Sequence, residues 1–393
     1  MKILWVKTDF LHPTNRGGQI RTLETVKRLH QKHEVHYIAF EDSSTPEGPE
    51  RAPEYCSRHY GVPHYAPEKN LLSPTFVGQL ATGLISRLPV AVNRWRSPQM
   101  RQEIAKLDSK EKFDAIICDF LFPAPNIPDL GKAILFQHNV EAQIWRRHVE
   151  HAGNAWKRGY FQLQATRMET YEREVCRRVK RVIAVSENDA QQIRRNYGIT
   201  GVTAIPTGVD IDFFCPPPHP EPKADLLFLG SMDWMPNIEG IQWFVREILP
   251  LIQAKLPSTT FAIAGRKPSA KVQALAGPGI LVTGTVPDVR PWLWGSKLSI
   301  VPLRIGGGTR LKIYESMAAR IPVVSTTVGA EGLETQDGGN IALADSPAAF
   351  AGRCVELLDS AAAREKMAQR GWEMVAAKYS WESVTAQFES LLP

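Results

Sequence analysis

Short apolar, β-branched runs alternate with longer amphipathic runs along this chain, and the alternation is played through twice. In the first half, "ILWV" (3–6), "EVHYIAF" (34–40), "DAIICD" (114–119), "AILFQH" (133–138) and "RVIAVS" (181–186) read as strands buried on both faces. After the first of them, "GGQIRTLETVKRLHQ" (17–31) sets Ile20, Leu23, Val26 and Leu29 at helical spacing, and a long basic helical run covers residues 153–178. Such alternation builds a parallel sheet with helices on both faces. The run "CPPPHPEPKA" (215–224) belongs in neither a sheet nor a helix and reads as a linker. Beyond it the pattern restarts with "LLFLG" (226–230), "TFAIAG" (260–265), "ILVTG" (280–284), "LSIVPL" (298–303) and "PVVST" (322–326). With 393 residues, 43% hydrophobic and 22% charged, the chain can fill two such cores. The expected fold class is therefore α/β with two Rossmann-like domains. The first covers 1–207 and the second 208–375, and a helix within 376–393 returns to pack on the first.

Other features narrow the function classes. The net charge of +6 suits an anionic ligand or surface, but no Lys/Arg-rich run with interleaved aromatics marks a nucleic-acid binder. Cys56, Cys118, Cys176, Cys215 and Cys354 are scattered singly, with no C-x-x-C pair for a structural zinc, and fit reduced thiols in a cytoplasm. The opening "MKILWVKTDFLHP" is broken by Lys7 and Asp9 and reads as a first strand rather than a signal segment. No apolar run approaches the ~18 residues of a membrane helix.

The chemistry concentrates at glycines after strands. In "RIGGGTRLKIYESMAARIPVV" (304–324) three glycines leave a strand and open a helix that Pro322 stops, with Thr309 at the N-cap position. A helix N-terminus attracts phosphate, and Arg310 and Lys312 add two charges that the helix alone disfavours there. The pattern is neither a Walker A loop nor G-x-G-x-x-G. Glu315 shares a helix face with Leu311 and Ala318, so its carboxylate needs a partner. An internal ion pair with an Arg and hydrogen bonds from ribose hydroxyls fit it equally. "NRGGQIRT" (15–22) is a second Gly-Gly at a strand-to-helix junction.

Taken together, these residues resemble glycosyltransferase family 4, retaining enzymes of the GT-B fold. Resemblance extends over nearly the whole chain. It is carried by "GGQIRT", by "IPTGVDIDFF" (205–214), by "FLGSMDW", "IAG" and "VTGTVPDV", and most specifically by "YESMAARIPVVSTTVGAEGL" (314–333). The resemblance implies two Rossmann-like domains facing each other across a cleft, the N-terminal one on the acceptor side and the C-terminal one binding the nucleotide-sugar. It implies a nucleotide-diphosphate sugar donor and a saccharide or lipid-linked acceptor, in cell-surface polysaccharide or glycolipid synthesis, with no metal or other cofactor. Glu315 matches the second Glu of the family's Glu–seven residues–Glu motif, which binds the donor ribose. The first Glu is replaced by Gly307. Gly17, Gly18 and Gly230 match the donor-side glycines, and Gly308, Thr309 and Leu311 match positions whose backbone N–H groups hold the diphosphate and sugar.

His138, at a strand end, matches the family histidine beside the reacting carbon. It is not expected to act as a general base, because same-face attack lets the leaving phosphate oxygen take the acceptor proton. Ser231, and Asn237 or Glu239, stand where the family has an Arg and a Lys for the diphosphate. Arg310 and Lys312 are expected to replace them. Asp119 and Glu141 are read as solvated loop carboxylates, with acceptor contact as the alternative.

Basic, aromatic-bearing stretches at 71–106 and 156–181 suit either a solvated surface or an anionic membrane face met from the cytoplasm. Two competing readings remain open at this point. One is a GT-B sugar-nucleotide epimerase; the other is a degenerate, non-catalytic nucleotide-sugar-binding protein.

Overall fold

In the computed structural model, the described residues are 1–14, 17–42, 44–64, 86–150, 152–232, 234–305 and 311–393. Contacts divide the chain into two compact units, Met1–Pro206 with Val384–Pro393, and Thr207–Ser383. The change of unit at Pro206 precedes the proline run. That run is no linker: it lies on the second unit, where Lys223 N–H donates to Gly295 O at 2.7 Å just before the first strand there. Its prolines exclude it from the sheet and leave it as a surface lead-in.

Among its described residues the first unit has seven strands: β1 (Lys2–Val6), β2 (Glu34–Glu41), β3 (Arg58–Pro63), β4 (Ala115–Asp119), β5 (Ala133–Gln137), β6 (Arg181–Ala184) and β7 (Val202–Ala204). They pair in parallel in the order β3-β2-β1-β4-β5-β6-β7. All of β4 and β5 is buried, as the continuous apolar runs require. The helices used below are α1 (Gly17–His30), α2 (Pro98–Glu111), α3 (Glu141–Glu150), α4 (Ala155–Arg178) and α5 (Glu187–Tyr197). Their starts follow the cap chemistry: Ser97, Asn154 and Ser186 each accept a backbone N–H from the first turn of α2, α4 and α5.

The described residues of the second unit form β8 (Ala224–Leu229), β9 (Phe261–Ala264), β10 (Ile280–Gly284), β11 (Ser296–Val301), β12 (Val323–Ser325) and β13 (Ala342–Leu343). Their parallel order is β10-β9-β8-β11-β12-β13. Around this sheet lie α6 (Met235–Trp243), α7 (Leu311–Ala318), α8 (Pro347–Asp359) and α9 (Ala361–Lys378). The last helix, α10 (Trp381–Glu389), carries Phe388 into the first unit's core, where it stacks on Trp5 at 5.6 Å and meets Phe136 edge-on at 5.1 Å.

In both sheets the chain starts near the middle, works outward to one edge, then returns and works outward to the other. This doubly wound order leaves a switch point between β1 and β4 and another between β8 and β11. Ligands of such sheets bind at the strands' carboxyl ends there.

Candidate active site

In the first unit three residues leave the sheet around its switch point: Lys7 after β1, Asp119 at the end of β4, and His138 after β5. Asp119 is fully buried, and four groups hold its carboxylate. Trp5 Nε1 (2.8 Å) and Thr22 Oγ1 (2.6 Å) donate to one oxygen. Lys7 Nζ (3.0 Å) and His138 Nε2 (2.8 Å) reach the other. Burial alone would raise this carboxyl, but Lys7, His138 and Thr22 outweigh it and keep it well below the usual carboxylate range.

An ionised carboxylate only accepts, so His138 Nε2 carries the proton and Nδ1 keeps its lone pair. Burial pushes the imidazole down to about 4, helped by Lys7 and Arg21 and opposed by Asp119, so the ring is neutral near pH 7. It lies flat against Phe120, centroids 3.9 Å apart at 7°. At Gly18 a Cβ would stand 2.9 Å from Phe120 Cζ and 3.7 Å from His138 Nδ1, so a side chain there would have to displace the Phe120 ring that lies on His138. At Gly17 the same position is open.

Several expectations need correction here. Asp119 and Glu141 are buried, not solvated loop carboxylates. Glu141 opens α3, and burial, then the neighbouring Glu172, push its carboxyl up to about 7. Glu172, fully buried on α4, accepts from the backbone N–H of Glu141 (2.9 Å) and Ala142 (3.0 Å) and from Tyr197 OH (2.6 Å). It caps α3 from another helix. The inward face of α1 is polar where an apolar stripe was expected: Gln19, Arg21, Thr22 and Thr25 are buried beside Val26 and Leu29, and Ile20 is 44% exposed.

Two turns meet at the carboxyl edge of the second sheet. Gly230 follows β8 and Gly265 follows β9. A Cβ on Gly265 would fall 1.7 Å from Gly230 O, so the turns touch backbone to backbone. The β8–β9 pairing runs on through them, with Gly230 N–H on Ala264 O (3.1 Å) and Met232 N–H on Arg266 O (2.9 Å). Lys312, on the first turn of α7, reaches this place. Its Nζ donates to Asn237 Oδ1 at 3.0 Å, sits 4.2 Å above the Phe228 ring and is 2.8 Å from where a Gly230 Cβ would be.

Asn237 in turn donates to Ser231 O at 2.8 Å. Glu239 points elsewhere, accepting from Arg304 Nε at 2.9 Å. Leu311 and Glu315 are partly buried on α7. Among the described residues the Glu315 carboxylate has no hydrogen-bonding partner and no Arg pairs with it. Burial raises its pKa while Lys312 draws it down. Gly307, Gly308, Thr309 and Arg310 lie outside the described residues.

Among the described residues no group of three or more His, Cys, Asp or Glu is placed to hold a metal ion. No helix in them is long and apolar enough to cross a membrane.

Two family models match. The one for Glycosyltransferase Family 4 covers residues 15–213 and the one for Glycosyl transferases group 1 covers 223–360. The chain belongs to glycosyltransferase family 4. An uncharacterized 44.6 kDa protein in the cps region of Klebsiella pneumoniae is 20% identical, over 98% of this chain and 97% of its own. A lipopolysaccharide core biosynthesis mannosyltransferase of Rhizobium leguminosarum bv. viciae is 28% identical over 45% of this chain and 54% of its own. HepE of Anabaena, solved with UDP, superposes at a TM-score of 0.67 with 12% identity, covering 100% of this chain and 99% of that one. With these likenesses the two Rossmann-like domains are those of the GT-B fold.

Sequence reasoning passed over Lys7, Thr22 and Trp5 as partners of Asp119. The signal was present in Lys7, a cation directly following a strand of buried apolar residues. It also passed over Arg266, the first residue after the glycine of β9.

Proposed function

We propose that this family member is a retaining glycosyltransferase that moves a sugar from a nucleoside-diphosphate sugar to a hydroxyl acceptor in cell-surface polysaccharide or glycolipid synthesis. The observation that carries the reading is the presence, on α7, of the Lys312 ammonium over the Gly230 turn together with the partly buried carboxylate of Glu315, which accepts no hydrogen bond among the described residues. A cation beside a glycine-backed turn suits a phosphate, and a carboxylate one turn further along suits a ribose diol. The relative in the cps region, the mannosyltransferase relative and the UDP complex of HepE support the same reading.

In this account Glu315 accepts from the ribose hydroxyls, and Lys312 and Arg310 bind the diphosphate. Gly17, Gly18, Gly230, Gly307 and Gly308 give it backbone access, and the N–H groups of Thr309 and Leu311 complete its hydrogen bonds. His138 accepts a sugar hydroxyl at Nδ1. The bond from the anomeric carbon to the phosphate oxygen breaks with its electron pair on the diphosphate. The acceptor oxygen bonds to that carbon on the same face, and its proton passes to the departing phosphate oxygen. Side-chain cations neutralise the charge that develops, a task worth ~10²–10³ in rate per donor, so transfer proceeds in EDTA. The acceptor side is assigned to the first unit.

The test is proton NMR of the glycoside formed from an α-linked donor. An α-linked product is expected, and a β-linked product would end the retaining assignment.

A further inference from the structure

Two turns at the edge of the second sheet carry polar side chains to one place. Lys312 approaches the Gly230 turn from α7. From the other side comes Arg266, whose Nε donates to Ser231 Oγ at 2.9 Å. We propose that Arg266 is a phosphate-binding residue of the donor site, the counterpart of Lys312 across the Gly230–Ser231 turn. This rests on the reading of the second unit as the nucleotide-sugar domain.

Three observations support it. First, the guanidinium is fixed by a neutral hydroxyl, which leaves its full charge and its outer N–H groups available. Among the described residues no carboxylate pairs with it, whereas Arg290, Arg304 and Arg353 each face one. Second, Lys312 donates to the neutral amide of Asn237 beside the same turn, so two cations reach one turn. Like charges gathered this way repel, and an anion set between them turns the arrangement favourable. Third, the platform is rigid. The Gly265 turn bears directly on the Gly230 carbonyl, and Arg266 O accepts from Met232 N–H at 2.9 Å, so the base of the side chain is fixed. A planar fork on a fixed stem beside a second cation suits two adjoining phosphates.

The chemical class follows. The ligand is a nucleoside diphosphate, whose two phosphates reach a cation on each flank of the turn, rather than a nucleoside or an uncharged sugar.

Calorimetric titration of the full chain and its Arg266→Gln variant with UDP, GDP, ADP and TDP, and with the matching nucleosides, decides it. Arg266→Gln is expected to weaken the diphosphate that the wild type binds by about tenfold, the worth of one charge-assisted hydrogen bond, and to leave the nucleoside unchanged. Moving the charge across the hydrogen bond, with Ser231→Arg added to Arg266→Ser, is expected to restore most of the loss. Equal diphosphate affinity in wild type and Arg266→Gln overturns the assignment, and so does an equal loss for diphosphate and nucleoside, which would mean that Arg266 only props the turn. A wild type that binds none of the four diphosphates overturns the donor reading, and this inference with it.

Discussion

Asp119 and Glu141 show how differently two buried carboxyls can behave at one sheet edge. Asp119 is surrounded by donors and a cation and stays ionised; its charge fixes the His138 tautomer. Glu141 is pushed up to about 7 by burial and then by the neighbouring Glu172. Its ordinary value is 4.5, so between that pH and about 7 the folded chain holds a proton that the unfolded chain has lost. Stability therefore falls as pH rises through this window. Glu141→Gln removes the penalty. Its melting temperature is expected to match wild type near pH 4.5 and to exceed it at pH 8, by the equivalent of about 1–3 kcal/mol. Parallel melting curves from pH 5 to 8 would show that Glu141 is not held protonated.

At this scale the helical spacing showed that Glu315 shares a face with Leu311 and Ala318, and its carboxylate is partly buried on α7. The sequence was opaque where a role depends on a distant contact. Little local tells that Trp5 and Lys7, on and just after β1, and Thr22 on α1 converge on Asp119 at the end of β4, because the contacts join elements far apart in the chain.

At the level of elements, the central strands were legible because burial on both faces leaves continuous apolar runs. The edge strands β3 and β7 were not, since half-exposed positions admit polar residues such as Arg58, His59 and Thr203. The long basic helix was legible too, but not how its charges are used. Toward the carboxyl end of α4, Arg173 and Arg178 pair with Glu169 and Glu174, and Arg177 donates to Tyr197 O at 2.9 Å. The opposite end is different. Trp156 is 91% exposed, with Lys157 and Arg158 exposed beside it.

An aromatic ring flanked by cations at a helix start is suited to an anionic lipid surface, so the expectation of a membrane face falls on this end of α4. In flotation with vesicles containing anionic phospholipid at low salt, the wild type should rise with the lipid. Trp156→Ala with Lys157→Ala and Arg158→Ala should stay in the soluble fraction. Equal flotation of both proteins, or none by the wild type, removes the expectation.

Over the whole molecule, two repetitions of one winding place two clusters at corresponding points, the carboxyl ends of strands beside a switch point. Repetition was visible in the sequence because strand-then-glycine recurs. The proline run misled, because a stretch that cannot enter a sheet need not separate two domains; here it lies on one of them. The C-terminal helix was visible as an amphipathic run, and its Phe388 supplies an aromatic contact to Trp5 in the first core.

The central claim is that the second unit binds a nucleoside diphosphate through Lys312 and Glu315. Thermal unfolding of the full chain with UDP, GDP, ADP and TDP tests it most directly. One of the four is expected to stabilise the wild type by about 2.7 kcal/mol at a hundred times its dissociation constant, and most of that shift should vanish in Lys312→Gln and in Glu315→Gln. No shift with any of the four, or equal shifts in both variants, would contradict the account.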